Sequence, residues 1–426
     1  MTAPASTPNG APADVTDRPR CPVDHLDLID PDTFESGVPF GAFARMRQEA
    51  PVFWHPHENS YGGGFWVVTQ LADVQEVSRL PEVFSSWERG ALLSTGDARD
   101  EEVALQHTRE LMLNMDPPQH SQLRNIVQRA FTPRTIRALE PRLREFSEQI
   151  VDRALAKGEG DFVRDVAAEL PLLAICELIG IPAEDREKIF DLSNRLIGFD
   201  DPEFNTSAAD AMEASMEMYM YANELAERRQ KEPRQDIVTK LLEAEVDGDK
   251  LTVQQFDMFF LLLSVAGNET TRNAITHGMQ AFFDHPDQWE LFKRERPLEA
   301  AAEEIIRWAT PVMQFQRTAL QDYELHGQLI RKGERVAIYY TAGNRDETAL
   351  PDPDRFDVTR EDNDHIAFGG GGPHFCLGAN LARAEIQILF DVIAERMPDI
   401  APLGPPRGLR SMFINGIKEL PVRYRT

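Results

Sequence analysis

The chain has 426 residues, with 45 Lys and Arg against 71 Asp and Glu, a formal net charge of −26. That length permits a large buried core, and the acidic balance excludes nucleic acid and anionic membrane surfaces as electrostatic partners. Three cysteines, Cys21, Cys176 and Cys376, are too few and odd in number for a disulfide framework, which places the chain in a reducing, cytoplasmic setting.

Residues 1–29 read as a disordered tail, since MTAPASTPNGAP has neither a basic region nor an apolar core of a signal peptide. The longest apolar run, Met258 to Ala266, is shorter than the roughly 18 residues of a spanning helix, so no membrane insertion is expected. Phe40 to Ala50 predicts a short helix stopped by Pro51. Gly62, Gly63 and Gly64 lead into a strand at Phe65 to Thr69, and Leu71 to Leu80 is helical. Phe84 to Leu113 has little periodicity and predicts a long ordered loop of the kind that covers a site.

From Pro118 to about Gly248 the pattern is helical: Ser121 to Phe131, Thr135 to Gly158, Val163 to Ile179, Pro182 to Ile197, Ala208 to Glu232 and Gln235 to Glu245. Thr252 to His285 is the longest candidate helix and Pro297 to Thr310 another. Gln328 to Tyr339 reads as a hairpin turning at Lys332-Gly333. The expectation is one catalytic domain over residues 30–426, mainly α with a minor β region at about 50–80 and 311–360, and no appended flavin or iron–sulfur cassette.

One stretch demands a chemical explanation: Phe368-Gly-Gly-Gly-Gly-Pro-His374-Phe-Cys376-Leu-Gly378-Ala-Asn-Leu-Ala-Arg383. It delivers a cysteine on a glycine loop to the start of an apolar-periodic helix, where the helix dipole and free backbone N–H groups favour a thiolate. A small buried hydrophobe is the plain alternative for Cys376, and a phosphate cradle for the glycines. The cradle is disfavoured because no Gly-Lys-Ser/Thr follows.

A second stretch, Val265-Ala266-Gly267-Asn268-Glu269-Thr270-Thr271, puts glycine inside a helix at a cost of about 1 kcal/mol. Ala266, Gly267 and Thr270 share a face and leave a hollow, and Thr270 can bond a carbonyl of the preceding turn. Close helix packing is the alternative. Glu304 and Arg307 form an i,i+3 pair; His120 and Arg124 lie one turn apart; Arg317 follows Phe315-Gln316. Met212, Met216 and Met220 repeat every four residues and fit either a core stripe or an adaptable lid.

Together these stretches resemble the cytochrome P-450 monooxygenases over nearly everything from Asp30 to the C-terminus. The haem-binding loop of that family carries an aromatic, glycines, a basic residue two before the cysteine and a glycine two after it. Here Phe368 lies eight residues before Cys376, one more than the common bacterial pattern, so a one-residue bulge is expected. The resemblance implies a triangular helical prism with a long central helix over haem b, a small sheet region, and Cys376 as the axial iron ligand. It implies that His120, Arg124, Arg317 and His374 bind the haem propionates, with Phe368, Gly378 and Ala266 against the macrocycle. Thr270 and Glu269 would form the oxygen-activating pair, Thr270 at the oxygen and Glu269 linking it to solvent protons. Glu304, Arg307 and Arg355 would form a structural network.

Electrons would come from NAD(P)H through ferredoxin reductase and a ferredoxin docked on Arg124, Arg129 and Arg383. A closer likeness, in Gly62 to Thr69, Leu113 to Pro118, Val265 to Asn273, Phe315 to Leu320 and Phe413 to Lys418, is to bacterial hydroxylases of the terminal methyl of the cholesterol side chain. The haem loop is similar to a sister group acting on methyl-branched lipids. Met258, Val265, Ala266, Val312, Phe315 and Phe413 are the expected substrate lining, with Met212, Met216 and Met220 in the region that closes over substrate. The implied activity is insertion of one atom of dioxygen into an unactivated C–H bond of a steroid, or alternatively of a branched fatty acid or terpenoid, by a cytoplasmic monomer. A haem sensor or peroxide-using enzyme would dispense with the Glu269-Thr270 pair.

Overall fold

The computed structural model describes residues 18–426 apart from 24, 58–60, 94–104, 107, 198–202, 204–207, 235, 244 and 247–248. Helices α1 (Phe40–Glu49) and α2 (Leu71–Arg79) lie in the N-terminal part. Next come α3 (Gln119–Val127), α4 (Pro133–Lys157), α5 (Glu169–Ile179), α6 (Arg186–Ile197), α7 (Ala208–Lys231) and α8 (Ile237–Glu243). The C-terminal half holds α9 (Val253–Asp284), α10 (Pro286–Glu295), α11 (Leu298–Ala309) and α12 (Ala379–Arg396). The strands of the main sheet and of its neighbouring hairpin are β1 (Val52–Pro56), β2 (Gly64–Val68), β3 (Phe84–Ser85), β4 (Gln314–Ala319), β5 (Tyr323–Leu325), β6 (Gln328–Ile330) and β7 (Arg335–Tyr339). The fold is mainly α with a minor β region.

Local chemistry explains the boundaries. α4 begins at Pro133, whose missing N–H costs nothing there, while Thr132 accepts from the Thr135 N–H; Gly158 ends it with φ 80°. Helix α9 opens with a reciprocal cap: the Thr252 hydroxyl accepts from the Gln255 N–H at 3.1 Å, and the Gln255 amide oxygen accepts from the Thr252 N–H at 3.0 Å. Its glycine at 278 is a packing requirement, because a Cβ there would lie 2.8 Å from Ile305 Cγ2 on α11 and 3.0 Å from Phe390 on α12. Just beyond, Phe282 centres a cluster with Trp289, Phe292, Phe356 and Phe390 at ring distances of 4.8 to 5.5 Å. This core clamps one end of α9 and leaves its middle to the site.

The main sheet runs in the order β1-β2-β7-β4-β3. Two expectations change here. The hairpin is formed by β5 and β6 around His326-Gly327, with Tyr323 opposite Ile330. β7 leaves Lys332-Gly333 to pair antiparallel with β4 and parallel with β2, because its fully buried face belongs in the middle of a sheet.

The expected tail reached residue 29, but the chain is packed from Arg18. The Arg18 guanidinium lies 4.0 Å from the Trp54 ring and pairs with Glu334, which also accepts from the Trp66 indole at 2.7 Å. Leu28 is completely buried. The rest of that tail, residues 1–17, lies outside the described residues, as do residues 94–104 and 107 of the loop expected at 84–113.

Candidate active site

Between the Cys376 loop, the middle of α9 and the turn into β4 is a cavity of about 260 Å³. Its floor is the glycine loop. The Cys376 N–H donates to the Phe368 carbonyl at 2.9 Å, closing the loop, and Gly369, Gly371 and Gly372 take φ of 101°, 93° and 73°. The expected extra residue is accommodated against α2: a Cβ on Gly370 would sit 2.6 Å from Ser78 Oγ, and one on Gly372 would sit 2.3 Å from the Ser78 carbonyl. Phe368, Cys376 and Gly378 all line the cavity.

The Cys376 side chain is exposed only in facing this cavity; protein surrounds it. That burial pushes its thiol above the ordinary value, opposed by the N–H groups of Gly378 and Ala379 and by the charges of Arg124 and Arg383. A bound metal cation reverses the balance, since coordination deprotonates a thiol outright.

His120, Arg124, Arg317 and His374, far apart in sequence, converge on one rim of the cavity. The two imidazole rings lie 4.2 Å apart. Burial and the neighbouring arginines hold both neutral, His120 at about 4 and His374 well below its ordinary value. Ser86 Oγ lies 3.3 Å from His374 Nε2, and the Ser86 N–H donates to Asp116, which fixes the ring from behind. Neither Arg124 nor Arg317 forms an ion pair among the described residues, and His120 Nδ1 is buried without a partner. Buried donors and uncompensated cations of this kind require anionic acceptors. A flat apolar slot with one thiol beneath and this donor set at its edge fits an iron porphyrin with two propionates.

Above the floor, Phe259, Leu262, Leu263, Ala266, Gly267, Thr270, Thr271 and Ala274 form one stripe of α9. Ile175 of α5 meets Gly267 across the top, where a Cβ would be 3.1 Å from its methyl. The Thr270 hydroxyl donates to the Ala266 carbonyl at 2.7 Å, as its spacing predicts. Of the expected substrate lining, Ala266, Val312 and Phe315 face the cavity. Met258, Val265 and Phe413 are not among its lining. Met258 accepts a hydrogen bond from Tyr219 on α7 at 3.4 Å, and Phe413 stands behind Phe315 at a ring distance of 5.5 Å.

Further expected roles are redrawn. Glu269 is buried and does not line the cavity; it pairs with Arg272 on its own helix. Glu304 and Arg307, completely buried, form the expected network through two 2.8 Å bonds, and Arg307 also donates to the carbonyls of Asn344 and Pro353. The second arginine on Glu304 is Arg360, at 3.1 Å, rather than Arg355. Arg355 contributes only its carbonyl, and its side chain is 64% exposed beside Asp357. Met212, Met216 and Met220 are each more than half exposed, so they face outward and form neither core nor cavity wall. In the expected docking patch, Arg383 is neutralised by Glu303 and Arg124 turns into the cavity, leaving Arg129 exposed.

A thiol facing an apolar cavity, with Ala266, Gly267 and Thr270 of a long helix lining the same cavity, is the arrangement a haem-thiolate oxygenase needs. Comparison with known proteins agrees: residues 172–396 match the cytochrome P450 family. The chain is 52% identical to a steroid C26-monooxygenase of Rhodococcus jostii, over 94% of this chain and 85% of that protein. It is 41% identical to a methyl-branched lipid omega-hydroxylase of Mycobacterium tuberculosis, over 99% of both chains. A Mycobacterium marinum cytochrome P450 in complex with pseudoionone superposes with a TM-score of 0.87 at 39% identity, covering 95% and 99% of the two chains. This protein belongs to the cytochrome P450 family and is a monooxygenase, and membership implies a haem iron.

Proposed function

We propose that this monooxygenase hydroxylates the terminal methyl of a cholesterol- or cholestenone-type side chain. The observation that carries the reading is the cavity wall. Above the haem slot, Phe259, Leu262, Leu263, Ile175, Val312 and Phe315 offer only hydrocarbon, and the steroid C26-monooxygenase relative supplies the substrate class. Burial of a branched isoprenoid end there is driven at roughly 25 cal/mol per Å², before ordering costs. Specificity for the end methyl over weaker internal C–H bonds then has to come from shape. Methyl-branched lipids are the second reading, favoured by the other relative.

Cys376 would hold the iron, with His120, Arg124, Arg317 and His374 on the propionates. The group supplies one-electron and dioxygen chemistry, which the thiolate's electron density favours. The chain's own residues do the rest. Ala266 and Gly267 leave room opposite Cys376, Thr270 presents a hydroxyl to that room, and the apolar wall excludes bulk water. Glu269, one residue from Thr270 and held off the cavity by Arg272, is the proton source. Reducing equivalents would come from NAD(P)H through a reductase and a ferredoxin in the cytoplasm. Arg129 at the end of α3, with exposed Arg134 and Arg137 on the first turn of α4, forms the cationic surface for it.

The test is a binding and product assay. Cholest-4-en-3-one should shift the haem Soret band to high spin and, with a surrogate ferredoxin system, give the side-chain-terminal alcohol. Ring hydroxylation alone, or no shift at micromolar steroid, sinks the steroid assignment; a shift with branched fatty acids instead establishes the second reading.

A further inference from the structure

Helix α9 has a second stripe, about 100° or more round from the middle of the cavity stripe, that carries Met258, Ser264, Val265, Asn268, Glu269 and Arg272. It packs toward α6 and α7: Met258 receives the Tyr219 hydroxyl, and the Ser264 carbonyl lies 3.5 Å from Ser193 Oγ. Such a stripe should be apolar, yet three consecutive positions on it are polar and buried. Asn268 is completely buried, and among the described residues neither its amide oxygen nor its amide nitrogen has a partner; Glu269 Oε1 and Arg272 Nε have none there either. Four unsatisfied polar atoms within one helical turn would cost several kcal/mol together unless water answers them. Asn268 and Arg272 are four apart, and Glu269 and Arg272 three apart, so Arg272 is a helical neighbour of both, and it pairs with the Glu269 carboxyl.

We propose that Asn268, Glu269 and Arg272 enclose an internal water site behind α9, and that Asn268 is a positioning residue that anchors this water as the proton store for Glu269. The inference rests on the relay reading of Glu269 given above. Arg272 holds Glu269 on the back stripe in the resting protein. In turnover the Glu269 carboxylate takes a proton from the water, the hydroxide left behind is reprotonated from solvent, and the carboxyl passes the proton to Thr270, whose own hydroxyl proton moves on into the cavity. Reduction of the second oxygen atom to water consumes two protons and two electrons; the cluster supplies only protons, and the electrons come from the redox chain of the established activity. Asn268 never meets substrate. Its effect is confined to coupling.

The experiment uses the haem-loaded full chain with a surrogate ferredoxin system and measures product and hydrogen peroxide per NADH in H2O and D2O. Asn268→Leu fills the site with hydrocarbon of the same size; Asn268→Ser keeps a hydroxyl and makes room. In Asn268→Leu, product per NADH should fall about tenfold, at the low end of what a positioned proton donor contributes, with peroxide making up the difference and the solvent isotope effect rising. Asn268→Ser should stay within about twofold of wild type, since a hydroxyl anchors water as an amide does. The reduced carbonyl band and the substrate-induced spin shift should be unchanged in both. Wild-type coupling in Asn268→Leu, or equal damage in both variants, overturns the water site. Glu269→Gln separates the two levels: if it too couples normally, the relay reading itself falls, whereas slow turnover in Glu269→Gln beside a normal Asn268→Leu removes only the water site.

Discussion

The two walls of the cavity are built in opposite ways. Beneath the haem slot, Cys376 is placed by backbone: a glycine loop closed by main-chain hydrogen bonds, braced on α2 and backed by the buried Glu304, Arg307 and Arg360 cluster. Above it, the wall is side chain only, a stripe of α9 with Ile175, Val312 and Phe315. Backbone geometry and ion pairs tolerate few substitutions, whereas hydrocarbon of similar volume exchanges at little cost. The lower wall therefore fixes the reaction and the upper wall the substrate.

The contrast can be broken most completely at Cys376. Cys376→Ala should abolish the carbonyl band characteristic of thiolate ligation and all turnover; retention of that band would remove the thiol from the site. Next in size is the bracing network. Glu304→Gln leaves Arg307 buried and unpaired and should cost about 3–5 kcal/mol in urea unfolding of the haem-loaded protein. Arg355→Ala, at an exposed side chain, should stay within about 0.5 kcal/mol. Equal effects would restore Arg355 to the network in place of Arg360.

A third, smaller effect concerns acid. His277 on α9 is half-buried with Nε2 3.2 Å from the Asn415 carbonyl oxygen, and desolvation lowers its pKa to about 4. The unfolded chain binds that proton near pH 6.5, so stability rises with pH through this window and is lost as pH falls from about 6.5 to about 4, at about 1.4 kcal/mol per unit. His277→Gln should flatten the pH dependence of unfolding between pH 7 and 5; an unchanged slope would assign the acid sensitivity to other groups. The smallest effect is expected at the upper wall. Phe413→Ala should loosen Phe315 and reduce selectivity for the terminal methyl by about 1–3 kcal/mol, with turnover retained. Met258→Ala should leave the product ratio alone, and if it alters that ratio as much as Phe413→Ala does, the placement of Met258 off the wall is wrong.

The lower wall was the legible one. Cys376, Gly378 and the helix behind them are contiguous, and a dipole argument needs no tertiary information. The rim is different: nothing in the spacing of His120, Arg124, Arg317 and His374 brings them together, and only the likeness to a known family named them as a set. Arg355 was named from the likeness of its Pro-Asp-Arg-Phe segment to the family's network, and that Arg360 folds back onto Glu304 instead is decided by backbone that the sequence does not display. The misplaced residues of α9 were harder to read. From Ala266 and Thr270, steps of three and four lead to Phe259, Leu262, Leu263 and Ala274, but the same steps also reach Met258, Val265 and Glu269, which the structure places off the cavity. These three sit at the edge of the stripe, and which edge positions face the cavity is decided by the neighbouring helices. Phe413 was sought on the wall because its segment resembles that of the relatives, but a position behind Phe315 satisfies the same packing.

The contact of Gly370 and Gly372 with α2 leaves no space for a methyl group between the thiol loop and the helix that covers the sheet. Loop and α2 thus move together, and Cys376 cannot shift while that helix stays folded. Any condition that melts α2 should release the haem in the same cooperative step, so the colour of the protein serves as a thermometer for a helix that never touches the metal.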